Sequence, residues 1–128
     1  MTKYLDINEV MTIHTTIIEL FGGRKDVHDF TLLHSAVERC KATFGGIDLY
    51  PTIFEKAAAL IQSLILNHPF DDGNKRTAIS SCALFLFING WELDLPKKKS
   101  IKFTLDIDSH KISFKQIASW LKRHSNIL

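Results

Sequence analysis

Hydrophobic positions recur along the chain at steps of three and four residues, which is the period of an amphipathic helix. The first such stripe covers residues 7–21, and Asp6 with Glu9 forms a capping-box pattern in front of it. Gly22-Gly23 is expected to end this helix, because glycine adopts the left-handed cap conformation without steric cost. The pattern therefore predicts a capped helix at the start of the chain.

The same period predicts five further helices. They begin and end near residues 30–40, 52–67, 75–89, 98–106 and 113–121. The second half of the fourth, CALFLFI, is apolar on all sides, which favours a central position enclosed by the other helices. No segment shows a convincing strand alternation, and residues 41–50, with two adjacent glycines, are interpreted as a loop. The predicted fold class is all-α, a compact bundle of about six helices.

Composition agrees with one ordinary globular domain over residues 1–128. Hydrophobic residues make up 45% and charged residues 23%, which excludes a disordered chain. The net charge of +2 gives no argument for nucleic acid or a membrane surface, so neither is expected as a partner.

Cysteine usage and the absence of a leader pattern favour a cytoplasmic protein. Cys40 and Cys82 both lie in apolar helical contexts, which is typical of reduced core thiols rather than of a disulfide framework. The first ten residues contain no apolar signal-peptide core. The longest apolar run, residues 82–88, is far shorter than the roughly 20 residues that cross a bilayer.

The segment His68–Thr77 carries the candidate chemistry at the start of the fourth helix. A helix N-terminus offers unpaired N–H groups and a partial positive charge, which suit a phosphate. Gly73 permits close approach of backbone to a ligand. Lys75 and Arg76 oppose the helix dipole unless an anion is bound there. These residues indicate a phosphate site.

Two more side chains of this segment fit group transfer to a hydroxyl. Asp72 supplies the hard oxygen ligand that phosphate-bound Mg²⁺ prefers. His68 is suited to take a proton from an incoming hydroxyl at neutral pH. The structural alternative is that His68 is a satisfied turn residue and that the DDGN stretch only starts a helix. Both interpretations stand on the residues alone.

The motif segment, residues 68–76 with the sequence HPFDDGNKR, resembles the Fic-family motif HPFx[D/E]GN[G/K]R at every specified position. Further similarity to the death-on-curing (Doc) branch of that family covers roughly residues 4–121 and includes FGG, LLHSAVERC and NGWEL. One departure is His28, which stands where relatives commonly carry an Arg.

The resemblance implies a role for each motif residue. His68 would deprotonate a Ser or Thr hydroxyl of a target protein, Asp72 would hold Mg²⁺, and Arg76 would grip the phosphates of ATP. The resemblance further implies that backbone and side-chain donors of Gly73 and Asn74 form an anion hole, and that Lys75 helps to orient the nucleotide.

Doc-like members have Lys at the position of Lys75 and lack a second motif Arg, which is Ile79 here. That pattern implies an inverted nucleotide that offers its γ-phosphate, so the resemblance implies a kinase toxin that phosphorylates elongation factor Tu and arrests translation. Gly73 keeps the form found in AMP-transferring members, and a nucleotidyl transferase is the first alternative. An inert binding adaptor is the second.

Regulation from outside the chain is also implied by the resemblance. The inhibitory [S/T]xxxE[G/N] helix of AMP-transferring members has only a partial match at residues 15–19, because Leu20 follows where Gly or Asn is expected. A separate antitoxin that folds as a helix into a surface groove is therefore expected. Residues 43–50 resemble the flap that aligns the target segment, with a plain connector as the alternative.

Overall fold

The computed structural model describes the whole chain, residues 1–128, and contains six α-helices. The elements in chain order are α1 (Ile7–Phe21), α2 (Phe30–Glu38), a 3₁₀ turn (Arg39–Lys41), β1 (Thr43–Phe44), β2 (Ile47–Asp48), α3 (Ile53–Leu66), α4 (Asn74–Ile88), β3 (Trp91–Leu93), α5 (Lys97–Asp108), α6 (Phe114–Arg123) and β4 (Ser125–Ile127). The all-helical prediction is confirmed, and each predicted helix lies within a few residues of an observed one.

Local capping explains why several helix starts were predictable. The Asp6 carboxylate accepts a hydrogen bond from the N–H of Glu9 at 2.8 Å, and the Glu9 carboxylate accepts one from the N–H of Asp6 at 3.0 Å. Ser113 and Gln116 form the same reciprocal pair at the start of α6. These bonds satisfy N–H groups that the first turn of a helix leaves free.

Two short strand pairs accompany the helices, and the sequence pattern predicted neither of them. β1 and β2 form a short antiparallel hairpin, and β3 pairs antiparallel with β4 so that Trp91 lies opposite Ile127. Each strand is only two or three residues long, so no alternation of apolar and polar residues is visible in the sequence. The β3–β4 pair also joins segments on either side of α5 and α6, which no local pattern reports.

The most fully enclosed helix is α3, in which ten of 14 residues are buried. α4 packs against α1, α3 and α5 and has a central place in the bundle. Its apolar second half is not enclosed on all sides, however, because Phe87 is 57% exposed. A single cluster of 22 buried hydrophobic residues forms the core.

Both cysteines are free and buried, as predicted, and burial raises the pKa of each thiol. None of the helices combines the length and the hydrophobicity that a bilayer crossing requires.

Candidate active site

The motif segment begins with a backbone conformation that is unusual for a residue with a side chain. α3 ends at Leu66, because Pro69 disfavours helical geometry at the residue before it. His68 has a φ of 45°, in the left-handed region, which typically costs about 1 kcal/mol or more for a residue other than glycine. This conformation turns the chain out of α3 and brings Pro69 and Phe70 into the core.

Phe70 anchors the inner side of the segment. Its ring is buried and stacks on the ring of His14 in α1, with the two centroids 3.7 Å apart. His14 is itself buried, and its Nε2–H donates to the carbonyl oxygen of Asp72 at 2.8 Å. His14 is thus a packed, hydrogen-bonded residue of the core.

The Asn74 side chain closes the loop on itself. Its Oδ1 accepts a hydrogen bond from the N–H of Phe70 at 3.0 Å, and its Nδ2 donates to the carbonyl of Phe70 at 2.9 Å. One amide group therefore satisfies both backbone polar groups of a buried residue. The side-chain donor is engaged in this arrangement, so the predicted role of Asn74 in an anion hole stays a prediction.

A flanking segment, residues 24–29, runs beside the motif segment and is bonded to it by backbone groups. The N–H groups of His28 and Asp29 donate to the carbonyl of Pro69 at 2.7 and 3.2 Å, and the N–H of Asp71 donates to the carbonyl of Asp26 at 3.1 Å. The His28 imidazole lies 3.5 Å from the Asp71 carboxylate. His28, the departure from the family pattern, thus faces the variable motif position.

Asp72 is held by the backbone just after α1. Its Oδ2 accepts a hydrogen bond from the N–H of Arg24 at 2.7 Å, while no protein donor contacts its Oδ1. Gly23 has a φ of 117°, and a Cβ added there would lie 2.9 Å from the Cβ of Asp72. Gly23, which was predicted only to end α1, therefore also makes room for the candidate metal ligand.

The residues around Asp72 fit Mg²⁺ only together with a phosphate ligand. No group of three or more His, Cys, Asp or Glu is placed to hold a metal ion. Mg²⁺ commonly uses one or two carboxylates and completes its shell with substrate phosphates and water. Asp72 offers one free carboxylate oxygen beside a helix N-terminus, which fits that mode of coordination.

α4 starts without a side-chain cap. Gly73 occupies the N-cap in the left-handed conformation, and the first backbone bond of the helix is donated by Thr77 to the carbonyl of Gly73 at 2.9 Å. The N–H groups of residues 74–76 are therefore open at the positive end of the helix dipole. This end can accept an anion without breaking any bond of the helix.

Two cationic side chains lie at the same end. The guanidinium of Arg76 is exposed and stacks over the ring of Phe21, 3.8 Å from its centroid. The ammonium of Lys75 pairs with Asp108 at 3.1 Å. The structure thus places Gly73, Asn74, Lys75 and Arg76 around one helix start, where sequence analysis expected phosphate contacts.

The His68 imidazole is 53% exposed, and its Nε2 lies 3.1 Å from the Oδ1 of Asp108. Asp108 thus contacts both His68 and Lys75, and the pKa of its carboxyl is held below its usual range, first by Lys75 and then by His68. Sequence reasoning missed Asp108. It is an ordinary acidic residue at the end of an amphipathic helix, and nothing local to it signals a partner in the motif segment.

The predicted flap corresponds to the β1–β2 hairpin. Its apolar side chains face solvent, with Phe44 83% exposed. Its base is tied to α3 by the buried Lys56, whose ammonium bonds to the carboxylate of Asp48 at 3.0 Å and to the carbonyl of Tyr50. The hairpin is therefore exposed at its tip and bonded to α3 at its base. Its role in aligning a target stays a prediction.

Similarity to known proteins identifies the family of this chain. Residues 4–86 match the model of the Fic/DOC family, and this chain therefore belongs to that family. Over 93 residues, 73% of this chain and 69% of the relative, it is 50% identical to "Toxin Doc" of Mycolicibacterium smegmatis. It is also 27% identical over 122 residues, 94% of each chain, to "Protein kinase doc" of Escherichia phage P1. The family match includes the whole motif segment and ends before α5.

Proposed function

We propose that this chain is the toxin of a toxin–antitoxin pair and that it acts as a Mg²⁺-dependent protein kinase. The family and the names of the two relatives support a toxin and a transferase. In this proposal the γ-phosphate of ATP is transferred to a Thr or Ser hydroxyl of elongation factor Tu, which arrests translation in the cytoplasm.

The observation that carries the proposal is the uncapped start of α4. Three open N–H groups, the helix dipole, and the cationic Lys75 and Arg76 together form a site for a polyanion such as the phosphates of ATP. Bound Mg²⁺ would neutralise phosphate charge, and Asp72 would be its protein ligand. His68, at the other end of the same short segment, would take the proton of the attacking hydroxyl.

The residue at position 79 favours γ-phosphate transfer over nucleotidyl transfer. Ile79 is partly buried and packs against the hydrophobic core, so α4 offers no second cation one turn beyond Arg76. Lys75 near the helix start, with no further cation along α4 after Arg76, is the pattern associated with the kinase orientation of ATP.

An inhibitor from outside the chain is part of the proposal. Glu19, the acidic residue of the partial inhibitory match, pairs with Lys25 on the surface at 3.4 Å, and the following Leu20 is exposed. Glu19 forms no ion pair with Lys75 or Arg76. An antitoxin that inserts a helical segment into a surface groove would then supply the control.

The direct test is a pair of labelling reactions on a bacterial lysate, one with γ-labelled and one with α-labelled ATP. Each reaction is repeated with the His68→Ala variant, checked for folding by circular dichroism. We expect label from the γ position only, dependent on His68, on a band that an antibody identifies as elongation factor Tu. Label from the α position would identify a nucleotidyl transferase instead.

A growth experiment separates an enzyme from an inert adaptor. We expect expression of the wild-type chain to arrest growth and the folded His68→Ala variant to permit it. Arrest that persists in the variant would favour inhibition by binding alone.

A further inference from the structure

Asp108 is the last residue of α5, and both of its carboxylate oxygens are used by the motif segment. Oδ1 lies 3.1 Å from Nε2 of His68, and Oδ2 lies 3.1 Å from Nζ of Lys75. The side chain is only 28% exposed. One residue of α5 therefore touches both the proposed base and the proposed nucleotide-orienting cation.

The stability of α5 does not explain an aspartate at this position. The C-terminal end of a helix carries a partial negative charge, which disfavours a carboxylate there. The last turn of α5 contains no basic residue to offset it. The hydrogen-bonding and ionic partners of the Asp108 side chain are His68 and Lys75, so its favourable contacts are all with the motif segment.

His68 in turn has no other anchor. Its backbone is in the left-handed region, its ring is half exposed, and Asp108 is the only hydrogen-bond partner of that ring. An imidazole on an exposed turn samples several rotamers unless a partner selects one. The contact with Asp108 is what fixes the ring in the structure.

We infer that Asp108 is a positioning residue that orients the His68 base and the Lys75 ammonium together. The inference deepens the proposed function and rests on it. Because an ionised carboxylate only accepts hydrogen bonds, Nε2 of His68 carries the proton of this contact, and in the neutral imidazole Nδ1 then keeps its lone pair. Nδ1 is then the atom that accepts the proton of the target hydroxyl.

The transfer forms one bond to the γ-phosphorus and breaks another. The target hydroxyl gives its proton to Nδ1, and its oxygen forms a bond to the γ-phosphorus of ATP. The bond between that phosphorus and the β–γ bridging oxygen breaks, and ADP leaves with the electron pair. The Asp108 carboxylate stabilises the imidazolium that results, in the manner of other carboxylate–histidine pairs.

The experiment compares Asp108→Ala with Asp106→Asn as a matched control. Asp106 lies in the same last turn of α5 but pairs with Lys102 at 2.7 Å, away from the motif segment. We expect Asp108→Ala to lower kcat for His68-dependent label transfer by about 10- to 100-fold, the range typical when a metal-binding histidine loses its carboxylate partner. The KM for ATP should also rise, because Lys75 loses its partner. Asp106→Asn should change neither constant.

A second readout does not depend on the transfer reaction. Nitrogen-15 NMR of the histidine rings, with the His68 signals assigned by their loss in His68→Ala, reports which ring nitrogen carries the proton. We expect the Nε2–H form in the wild type and a mixture of forms in Asp108→Ala. An unchanged tautomer would overturn the inference even if γ-phosphate transfer is established.

The outcomes separate the two levels of the proposal. Label transfer from the α position, or no transfer, would contradict the kinase while the tautomer measurement still decides the role of Asp108. Full activity of the folded Asp108→Ala variant would overturn the positioning role while leaving the kinase intact. Increased activity would also overturn it, since Asp108 would then act as a restraint on His68 and Lys75.

Discussion

The two sides of the motif segment are held in different ways. The inner side faces α1 and the flanking segment, and it is fixed by buried packing of Phe70, by the Asn74 amide and by backbone hydrogen bonds. The outer side faces α5 and is fixed by one carboxylate, Asp108, which contacts two partly exposed side chains.

Within these nine residues, the inner side serves mainly the stability of the fold and the outer side serves mainly the proposed reaction. Buried contacts and satisfied backbone groups contribute to the free energy of unfolding, whereas exposed ion pairs contribute little to it. Substitutions on the inner side should therefore act mainly on stability. Substitutions on the outer side should act mainly on the proposed reaction.

The largest expected effect is that of Phe70→Ala. Removal of a buried ring that stacks on His14 should lower the free energy of unfolding by about 3–5 kcal/mol. Urea unfolding followed by tryptophan fluorescence measures the loss. Phe44→Ala is the control, since Phe44 is exposed and should change the value by less than about 0.5 kcal/mol. Equal losses in the two variants would refute the inner-side anchor.

Gly23→Ala should come next. The added Cβ meets the side chain of Asp72 on a backbone whose φ is 117°, and the strain and overpacking together should cost about 2–3 kcal/mol. Gly45→Ala, with a φ of 58° and no atom within 4 Å of the added Cβ, is the comparison that carries a backbone cost without a steric contact. Thermal unfolding of both variants gives the comparison. If Gly23→Ala costs no more than Gly45→Ala, the close approach to Asp72 has no energetic weight.

Asn74→Ala should cost about 2 kcal/mol, because it removes two hydrogen bonds to the backbone of Phe70 at about 1 kcal/mol each. Asn74→Asp keeps the acceptor but loses the donor, so its loss should be roughly half as large. Chemical denaturation of the three proteins tests this order. A stability equal to wild type in Asn74→Ala would mean that the amide serves only the ligand.

The smallest expected effect is the dependence of stability on the ionisation of Asp108. The contacts of Asp108 lower the pKa of its carboxyl in the folded protein relative to the unfolded chain. The resulting stabilisation is present above about pH 4 and is lost as the pH falls through the lowered pKa. The wild type should exceed Asp108→Asn by at most about 1 kcal/mol near neutral pH. Melting temperatures of both proteins across the acid range should converge at the lowest pH. A difference in melting temperature between the two proteins that grows as the pH falls would contradict a lowered pKa of Asp108.

Much of this fold followed from local sequence. The capping pairs at Asp6–Glu9 and Ser113–Gln116 act within one turn of helix, so their patterns predict the starts of α1 and α6. Pro69 likewise restricts the backbone at its own position and at His68, and Gly73 permits the left-handed conformation in front of α4. The family motif was visible because its residues are consecutive.

The sequence alone determined the all-helical class, the helix bounds to within a few residues and the position of the candidate site in the chain. Tertiary structure decided which residues meet. Its contributions are the hydrogen bonds between Asn74 and Phe70, the close approach of Gly23 to Asp72, the β3–β4 pair and the contact of Asp108 with His68. The physical reason is range. Periodicity and capping act between residues up to about four positions apart, whereas His68 and Asp108 are 40 positions apart and meet only because α5 packs where it does.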